Sequence, residues 1–149
     1  MFAGSDTYSV DAKGRINIPA PFKKLLNPEC NDTFMLVRGL VANIDVYPID
    51  LWNSNVKPRI DQLDDYDIEQ AAFKRMFLEL AAECVLDNQS RLLVPRRLLD
   101  FAHIEKEVFI LGQSAKIEFW NPQTYKSQQS EVTKTFAQLA KEFLPPIPK

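Results

Sequence analysis

An internal repeat constrains the fold of this 149-residue chain more than any other feature of its sequence. The segment Asp11–Pro19, with the sequence DAKGRINIP, returns 76 positions later as Asp87–Pro95, with the sequence DNQSRLLVP. Two further pairs of segments resemble each other in the same order: Phe34–Gly39 with Val108–Gly112, and Ile44–Tyr47 with Ile117–Trp120. The chain is therefore predicted to be two copies of one unit that share a single core.

Each copy is predicted to contain short strands around a short helix. Segments rich in β-branched or aromatic residues and bounded by turn formers predict the strands of the first copy: Thr7–Asp11, Arg15–Ile18, Thr33–Arg38 and Asn43–Tyr47. Proline begins the short helix in each copy, which predicts Ala20–Leu26 after Pro19 and Pro95–Phe101 in the second copy. The two copies are thus expected to be β-β-α-β-β-α units that complete one barrel, which gives a mainly β member of the α+β class.

A longer helix is predicted to end each copy. Apolar residues recur at three- and four-residue spacing from about Tyr66 to Ala82, which indicates an amphipathic helix. In the second copy Asn121 is a cap before a proline, and apolar residues continue along one helix to Phe143. Pro145–Pro148 is predicted to be a loose tail. We divide the chain into a first repeat at 1–65, a connecting helix at 66–82 and a second repeat at 83–149.

Charge limits how this protein can contact nucleic acid. The chain has 18 Lys and Arg residues against 20 Asp and Glu residues, so its net charge is −2 and its pI is about 5.4. This balance excludes a uniformly basic coat for nucleic acid. Any contact with DNA must therefore be local.

The motif Asp11-x-Lys13-Gly14-Arg15 is the candidate for such a contact. Gly14 can adopt a positive φ in a tight connection between strands, so that Asp11, Lys13 and Arg15 project together. The alternative is structural, because Asp11 and Arg15 can pair across the turn and only hold the hairpin. Both interpretations remain open from the residues alone. In the second copy Asp87 and Arg91 are kept, which predicts a second, weaker cationic tip because Gln89 and Ser90 replace the Lys and the Gly.

The sequence resembles the MraZ family of bacterial transcriptional regulators over nearly its whole length. The resemblance rests on Met1-Phe2-x-Gly4, Asp11-x-Lys13-Gly14-Arg15 with Pro19, Asp87-x-x-x-Arg91 with Pro95, Gly112-Gln113 and Ile117-Glu118-Phe119-Trp120. It implies an AbrB-like swapped-hairpin, or double-split, β-barrel with flanking helices. It also implies a regulator that binds direct repeats of double-stranded promoter DNA upstream of the division and cell-wall gene cluster, including its own gene.

The same resemblance implies roles for individual residues. Lys13 and Arg15 correspond to DNA contacts and Arg91 to a weaker one. Asp11, Gly14, Pro19, Asp87 and Pro95 correspond to structural positions of the two signatures. Members of this family form rings of identical subunits, so a homo-oligomeric ring in the cytoplasm, associated with the nucleoid, is expected.

Other function classes find less support in the sequence. The sequence has too few ligands for structural zinc, since it contains only Cys30, Cys84 and His103 of the usual types, so no metal or cofactor is expected. Both cysteines are predicted to be buried. No catalytic motif is present, which makes an enzyme the least favoured class. The main alternative is an antitoxin-like interaction module with the same hairpin barrel, although such modules carry one hairpin copy and a disordered tail. No apolar run approaches the length of a membrane span, so a cytosolic protein without a membrane partner is expected.

Two further charged groups are interpreted as solvated or structural. The basic residues of the two post-proline helices could add phosphate contacts, but a solvated helix face is favoured for Lys23, Lys24, Arg96 and Arg97. The acidic residues before and within the start of the long helix suit the helix dipole better than a calcium loop: Asp61, Asp64, Asp65, Asp67 and Glu69.

Overall fold

The computed structural model describes residues 1–144 and 146, and these residues form a mixed α+β fold. The described residues contain eight strands: β1 (Ser5–Ser9), β2 (Arg15–Asn17), β3 (Thr33–Arg38), β4 (Asn43–Pro48), β5 (Ala82–Val85), β6 (Arg91–Leu93), β7 (Glu107–Gln113) and β8 (Lys116–Trp120). Apart from Pro146, the predicted tail lies outside the described residues.

The strands form two sheets with antiparallel pairing throughout. Six strands make one sheet in the order β1-β7-β8-β4-β3-β5, and β2 and β6 form a separate two-stranded sheet. Hydrogen bonding therefore runs along an open sheet with β1 and β5 at its edges, beside a separate two-stranded ribbon. The predicted closed barrel is not confirmed, because among the described residues no strand pairing joins the ribbon to either edge of the large sheet.

Strand pairing exchanges equivalent elements between the two copies of the repeat. The first strand of each copy pairs with the third strand of the other: β1 with β7, and β5 with β3. The remaining strand pairs between the copies join equivalent strands, since β2 pairs with β6 and β4 with β8. Each copy thus completes the sheet of the other, which explains the single core predicted from the repeat.

The core draws apolar side chains from both copies and from both sheets. Alternate residues of the strands point inward, as the period of two requires. The ribbon contributes one fully buried residue from each strand, Ile16 and Leu92. Fully buried residues of the large sheet complete the cluster: Phe34, Leu36, Ile44, Ile110, Ile117 and Phe119. Of the two cysteines, Cys30 is buried as predicted, whereas Cys84 on the edge strand β5 is only half-buried.

The helices of the first copy differ from the prediction in length and number. They are α1 (Ala20–Lys23), α2 (Ile49–Leu51), α3 (Lys57–Asp61) and α4 (Ile68–Leu78), with a 3-10 helix at Pro28–Cys30 and a π-helical segment at Trp52–Val56. The predicted helix from Tyr66 to Ala82 is wrong beyond Leu78. Residues Ala82–Val85 instead pair with β3 as strand β5, because that pairing satisfies the backbone of the sheet edge.

The helices of the second copy are α5 (Arg96–Phe101), α6 (Pro122–Ser130) and α7 (Phe136–Phe143). The single helix predicted from Asn121 to Phe143 is wrong, because a new helix begins at a second cap. The Thr135 hydroxyl accepts from the Gln138 backbone N–H at 3.2 Å, and the Gln138 side chain accepts from the Thr135 backbone N–H at 2.8 Å. This capping box separates α7 from α6. Among the described residues, no helix combines the length and the apolarity needed to cross a membrane.

The first testable prediction is that neither half of the chain folds alone. Residues 1–75 would lack the partners of β1 and β2, and residues 76–149 would lack the partners of β5 and β6. Each half should therefore give a broad, non-cooperative thermal transition by circular dichroism, whereas the full chain should melt cooperatively. A cooperative transition in either half would contradict the shared core.

Candidate nucleic-acid interface

The turn before β2 is built around the carboxylate of Asp11. One oxygen, Oδ1, accepts hydrogen bonds from the backbone N–H groups of Lys13 at 3.0 Å and of Arg15 at 2.8 Å. The other oxygen, Oδ2, accepts from the Arg15 Nε at 2.5 Å. The aspartate therefore closes the turn and fixes the arginine side chain at the same time.

The turn before β6 repeats this arrangement in the second copy. The Asp87 Oδ1 accepts from the backbone N–H groups of Gln89 at 2.9 Å and of Arg91 at 3.0 Å. The Asp87 Oδ2 accepts from the Arg91 Nε at 2.9 Å. The two motifs of the sequence thus have the same local structure.

Both turns need a residue in the left-handed region of backbone space. Gly14 has φ +84°, and a Cβ built on it would lie 3.0 Å from the Cδ1 of Leu99, so a glycine suits this position. Ser90 occupies the equivalent position with φ +60°, a left-handed conformation that serine adopts less readily than glycine does. The Ser90 hydroxyl also accepts from the Lys23 Nζ at 2.6 Å. Lys23 is therefore bound to the second turn and is not simply solvated.

Pairing of β2 with β6 brings the two arginines, both half-buried, onto the solvent-facing side of the ribbon. Arg15 lies opposite Leu93, and Asn17 lies opposite Arg91, so these four residues share one side of the ribbon while Ile16 and Leu92 occupy the other. The Arg91 Nη1 lies 3.9 Å from the Asp11 Oδ2. The sequence predicted two separate cationic tips in each subunit. The structure instead joins them into one patch, which we call the ribbon face (Arg15, Asn17, Arg91 and Leu93).

The Asp–Arg pairs favour a particular ionisation state and orientation. Hydrogen bonds from the Arg15 backbone N–H, the Arg15 side chain and the Lys13 backbone N–H lower the pKa of Asp11. Burial acts against ionisation of Asp87, but hydrogen bonds from Arg91 and Gln89 outweigh it and lower the pKa of that carboxyl as well. Both carboxylates therefore stay ionised at neutral pH.

The ion pair between Asp11 and Arg15, which the structural alternative predicts, is present. The hydrogen bond to the carboxylate uses Nε, and the two terminal nitrogens of the guanidinium are not hydrogen-bonded within the described part of the chain. An arginine held in this way can still present a two-nitrogen edge to a phosphate or a guanine. The ion pair is therefore compatible with a DNA contact, and the DNA roles of Lys13, Arg15 and Arg91 stay predictions.

A second charged cluster, on the large sheet, was missed by the sequence analysis. Asp45 on β4 lies directly opposite Glu118 on β8, and both are buried. The Lys116 Nζ lies 3.0 Å from the Asp45 Oδ2 and 3.3 Å from the Glu118 Oε2. Asn43 Nδ2 and Trp120 Nε1 donate to the remaining oxygens, Asp45 Oδ1 and Glu118 Oε1, at 2.9 Å each. The available signal was the repeat itself, because Ile44-Asp45 and Ile117-Glu118 occupy equivalent positions.

The acidic segment before α4 has the structural role that was favoured. The Asp67 side chain accepts from the Gln70 backbone N–H at 2.9 Å and caps the helix. Among the aromatic residues, Trp52, Phe119 and Trp120 are buried, whereas Tyr47 is half-buried.

The chain is thus a small α+β protein of two repeats that exchange strands and present an arginine-bearing ribbon. Comparison with known proteins identifies the family. The family model described as "MraZ protein, putative antitoxin-like" matches the chain twice, at residues 1–76 and 76–144. The chain therefore belongs to the MraZ family.

Full-length relatives agree with this assignment. The chain is 37% identical over 144 residues to a protein of Natranaerobius thermophilus named "Transcriptional regulator MraZ", with 97% of both chains covered. A protein of the same name from Lactiplantibacillus plantarum is 34% identical over 144 residues, with 97% of this chain and 99% of the relative covered. A third, from Acetivibrio thermocellus, is 36% identical over 131 residues, with 88% of both chains covered.

Proposed function

We propose that this protein is a DNA-binding transcriptional regulator that contacts double-stranded promoter DNA through the ribbon face and the adjoining Lys13. The observation that carries the proposal is the convergence of two aspartate-oriented arginines on one exposed ribbon. In a chain of net charge −2, such a local cationic surface is what nucleic-acid contact requires. The names of the relatives support a regulator and not an enzyme.

The proposed contact follows from the dimensions of DNA. A two-stranded ribbon fits the major groove of B-form DNA, where base edges are distinguishable. Lys13 would bind phosphate, because its side chain is exposed and makes no ion pair within the described residues. Arg15 and Arg91 would offer their terminal nitrogens to guanine edges or phosphates.

Assembly would make weak contacts effective. We propose a homo-oligomeric ring whose subunits bind successive direct repeats in the promoter of the division and cell-wall gene cluster, including the regulator's own gene. Linked subunits raise the effective concentration of each further contact, so a mildly acidic subunit can bind DNA tightly. Such a regulator would act in the cytoplasm on the nucleoid.

The proposed architecture is the swapped-hairpin arrangement of AbrB-like proteins. It is supported by the exchange of first and third strands between the two copies. In that arrangement the repeats 1–65 and 83–149 would be the exchanging units, joined by the segment 66–82.

Titration of the protein with labelled DNA from upstream of its own gene, against scrambled DNA of equal length, tests the proposed function. We expect tighter binding to the upstream DNA, and an affinity that falls linearly with salt on logarithmic axes because phosphate contacts release counterions. Equal or absent binding at low salt would refute the regulator and favour a protein-interaction module.

Lys13→Gln is expected to lower the salt dependence of DNA binding. The change recreates the residue that the second turn carries at Gln89, so the turn geometry should be kept. The slope of log affinity against log salt should fall by about 1 for each engaged Lys13, with little change in preference among DNA sequences. The matched control is Lys126→Gln, which removes an exposed lysine from α6, outside the ribbon face. An equal decrease in both variants would contradict a specific phosphate contact.

A further inference from the structure

The helix α7 carries an apolar stripe that none of the described residues of its own subunit covers. Phe136 is 87% exposed and Phe143 is 74% exposed, although both lie on the apolar side of an amphipathic helix. Leu139 and Ala140 lie between them at helical spacing and are half-buried. A helix stabilised by its own capping box but carrying unburied phenylalanines has the form of a segment that docks elsewhere.

A groove on the other half of the molecule is the apolar counterpart of this stripe. It lies between α4 and the β3–β4 turn, and its exposed apolar side chains are Leu40 at 100%, Met76 at 51% and Phe73 at 47%. Two cavities of about 170 and 370 Å³ open into it. We call this surface the α4 groove. Its apolar lining includes Leu40, Val56, Ile60, Leu63, Phe73 and Phe77, and charged side chains lie beside them: Arg38, Asp45, Arg59 and Lys116.

Contacts between aromatic rings fix the walls of the α4 groove. Phe77 stacks on Trp52 with ring centroids 6.0 Å apart, and Phe73 contacts Phe77 with centroids 5.9 Å apart. Trp52 is itself buried. The groove is thus a preformed surface with aromatic walls beside a few charged side chains, and no residue of α7 lines it.

We propose that the α4 groove receives helix α7 of a second copy of this chain. The stripe and the groove are different surfaces of one subunit, so the contact would be heterologous, with each subunit donating its helix to one neighbour and accepting a helix from the other. Such contacts close into a ring when the rotation between subunits divides a full turn. The inference rests on the proposed oligomer and specifies the contact that builds it.

A second copy fits the groove better than an unrelated partner because the same chain carries both complementary apolar surfaces. Each phenylalanine can bury roughly 150–250 Å². Phe136 and Phe143 therefore supply much of the roughly 500 Å² that one side of a small stable interface needs. The connection Glu131–Thr135 can extend about 17 Å, which lets α7 project from its own subunit.

Two full-length variants with complementary defects test this contact. The helix variant carries Phe136→Ser and Phe143→Ser, which remove the apolar stripe of α7. The groove variant carries Leu40→Ser and Met76→Glu, which make the surface of the α4 groove polar. Sedimentation at micromolar concentration should find large assemblies of the wild type but 17.1 kDa monomers of each variant. Mixed in equal amounts, the variants should form a heterodimer and nothing larger, because one intact helix meets one intact groove.

Each result has a defined meaning. The changed residues are exposed, so thermal melts of both variants should stay close to the wild type, and Leu25→Ser, a substitution at a similarly exposed site outside both surfaces, should assemble normally. If the wild type assembles but either variant assembles equally well, or if the mixture stays monomeric, the proposed contact is wrong while the oligomer stands. A monomeric wild type overturns the proposed ring as well. Binding of a single DNA repeat reports on the ribbon face separately, and we expect it to be the same in the variants.

Discussion

Replacing Arg15 with alanine is expected to weaken binding of the upstream DNA by about 1–3 kcal/mol at each engaged subunit. The substitution removes the charge and the two terminal guanidinium nitrogens that Asp11 leaves unbound. Because several subunits would bind adjacent repeats, the loss in overall affinity should exceed the value measured on one repeat. Titrations of one-repeat and multiple-repeat DNA with the same variant measure both effects.

Two companion variants show which property of Arg15 matters. Arg15→Lys should restore the phosphate contribution but not the preference for the promoter sequence, because an ammonium group cannot form a bidentate contact. Arg91→Ala should weaken binding less than Arg15→Ala, because Gln89 stands in its turn where the first turn has Lys13.

A purely structural role for Arg15 predicts a different result. The pair with Asp11 is partly exposed, and such pairs contribute about 0–1 kcal/mol to stability. Arg15→Ala would then lower the melting temperature slightly and leave the affinity for DNA unchanged. A thermal melt of each variant beside its DNA titration distinguishes the two roles, and unchanged affinity would remove Arg15 from the proposed mechanism.

The local structure of the site could be predicted from the sequence because it depends on neighbouring residues. Asp11 and Arg15 are four positions apart, and a short turn with Gly14 is enough to bring them together. The repeat then extends the same geometry to Asp87 and Arg91. The convergence of Arg15 with Arg91 was not predictable in this way, because it depends on the pairing of β2 with β6 across more than 70 residues.

The bounds of the strands and helices could likewise be predicted only where they depend on neighbouring residues. The strand predicted at Thr33–Arg38 has those bounds, because its apolar pattern and flanking turn residues agree. The first strand differs from the predicted Thr7–Asp11, because β1 is Ser5–Ser9 and Asp11 belongs to the turn that follows it. The predicted helix ran on to Ala82, whereas α4 ends at Leu78 and strand β5 begins at Ala82. The pairing of β5 with β3 involves residues far away along the chain, so local spacing could not reveal it.

Replacing Lys116 with methionine is expected to destabilise the protein by about 3 kcal/mol near neutral pH. The change leaves Asp45 and Glu118 facing each other on adjacent strands without the cation between them. Removing one partner of a buried ion pair costs about 3–5 kcal/mol, and the lower end applies because Lys116 keeps some contact with solvent. Urea unfolding of both proteins measures the difference.

An exposed ion pair provides the matched control. Lys57 lies 2.7 Å from Asp61, and both side chains are 55% exposed. Lys57→Met makes the same chemical change at a well-formed pair in water, so it should alter stability by no more than about 0.5 kcal/mol. Adding Asp45→Asn and Glu118→Gln to Lys116→Met should restore most of the lost stability, because the neutral amides still accept from Asn43 and Trp120.

The pH dependence distinguishes charge repulsion from lost packing. Burial raises the pKa of Asp45 above its ordinary value, so the folded state takes up a proton more readily than the unfolded chain and Asp45 destabilises the fold as pH rises through that pKa. Burial opposes the charge of Lys116, but Asp45 outweighs it and raises the pKa of Lys116. The stabilisation by Lys116 is therefore complete below the pKa that Lys116 has in the unfolded chain, and it is lost as pH rises through the pKa of Lys116 in the folded protein.

The difference in the free energy of unfolding between wild type and Lys116→Met should thus be largest near neutral pH. It should become smaller in acid, where a carboxyl is protonated, and in strong alkali, where Lys116 loses its charge. A difference independent of pH would show that the methionine acts through packing and not through the uncompensated carboxylates.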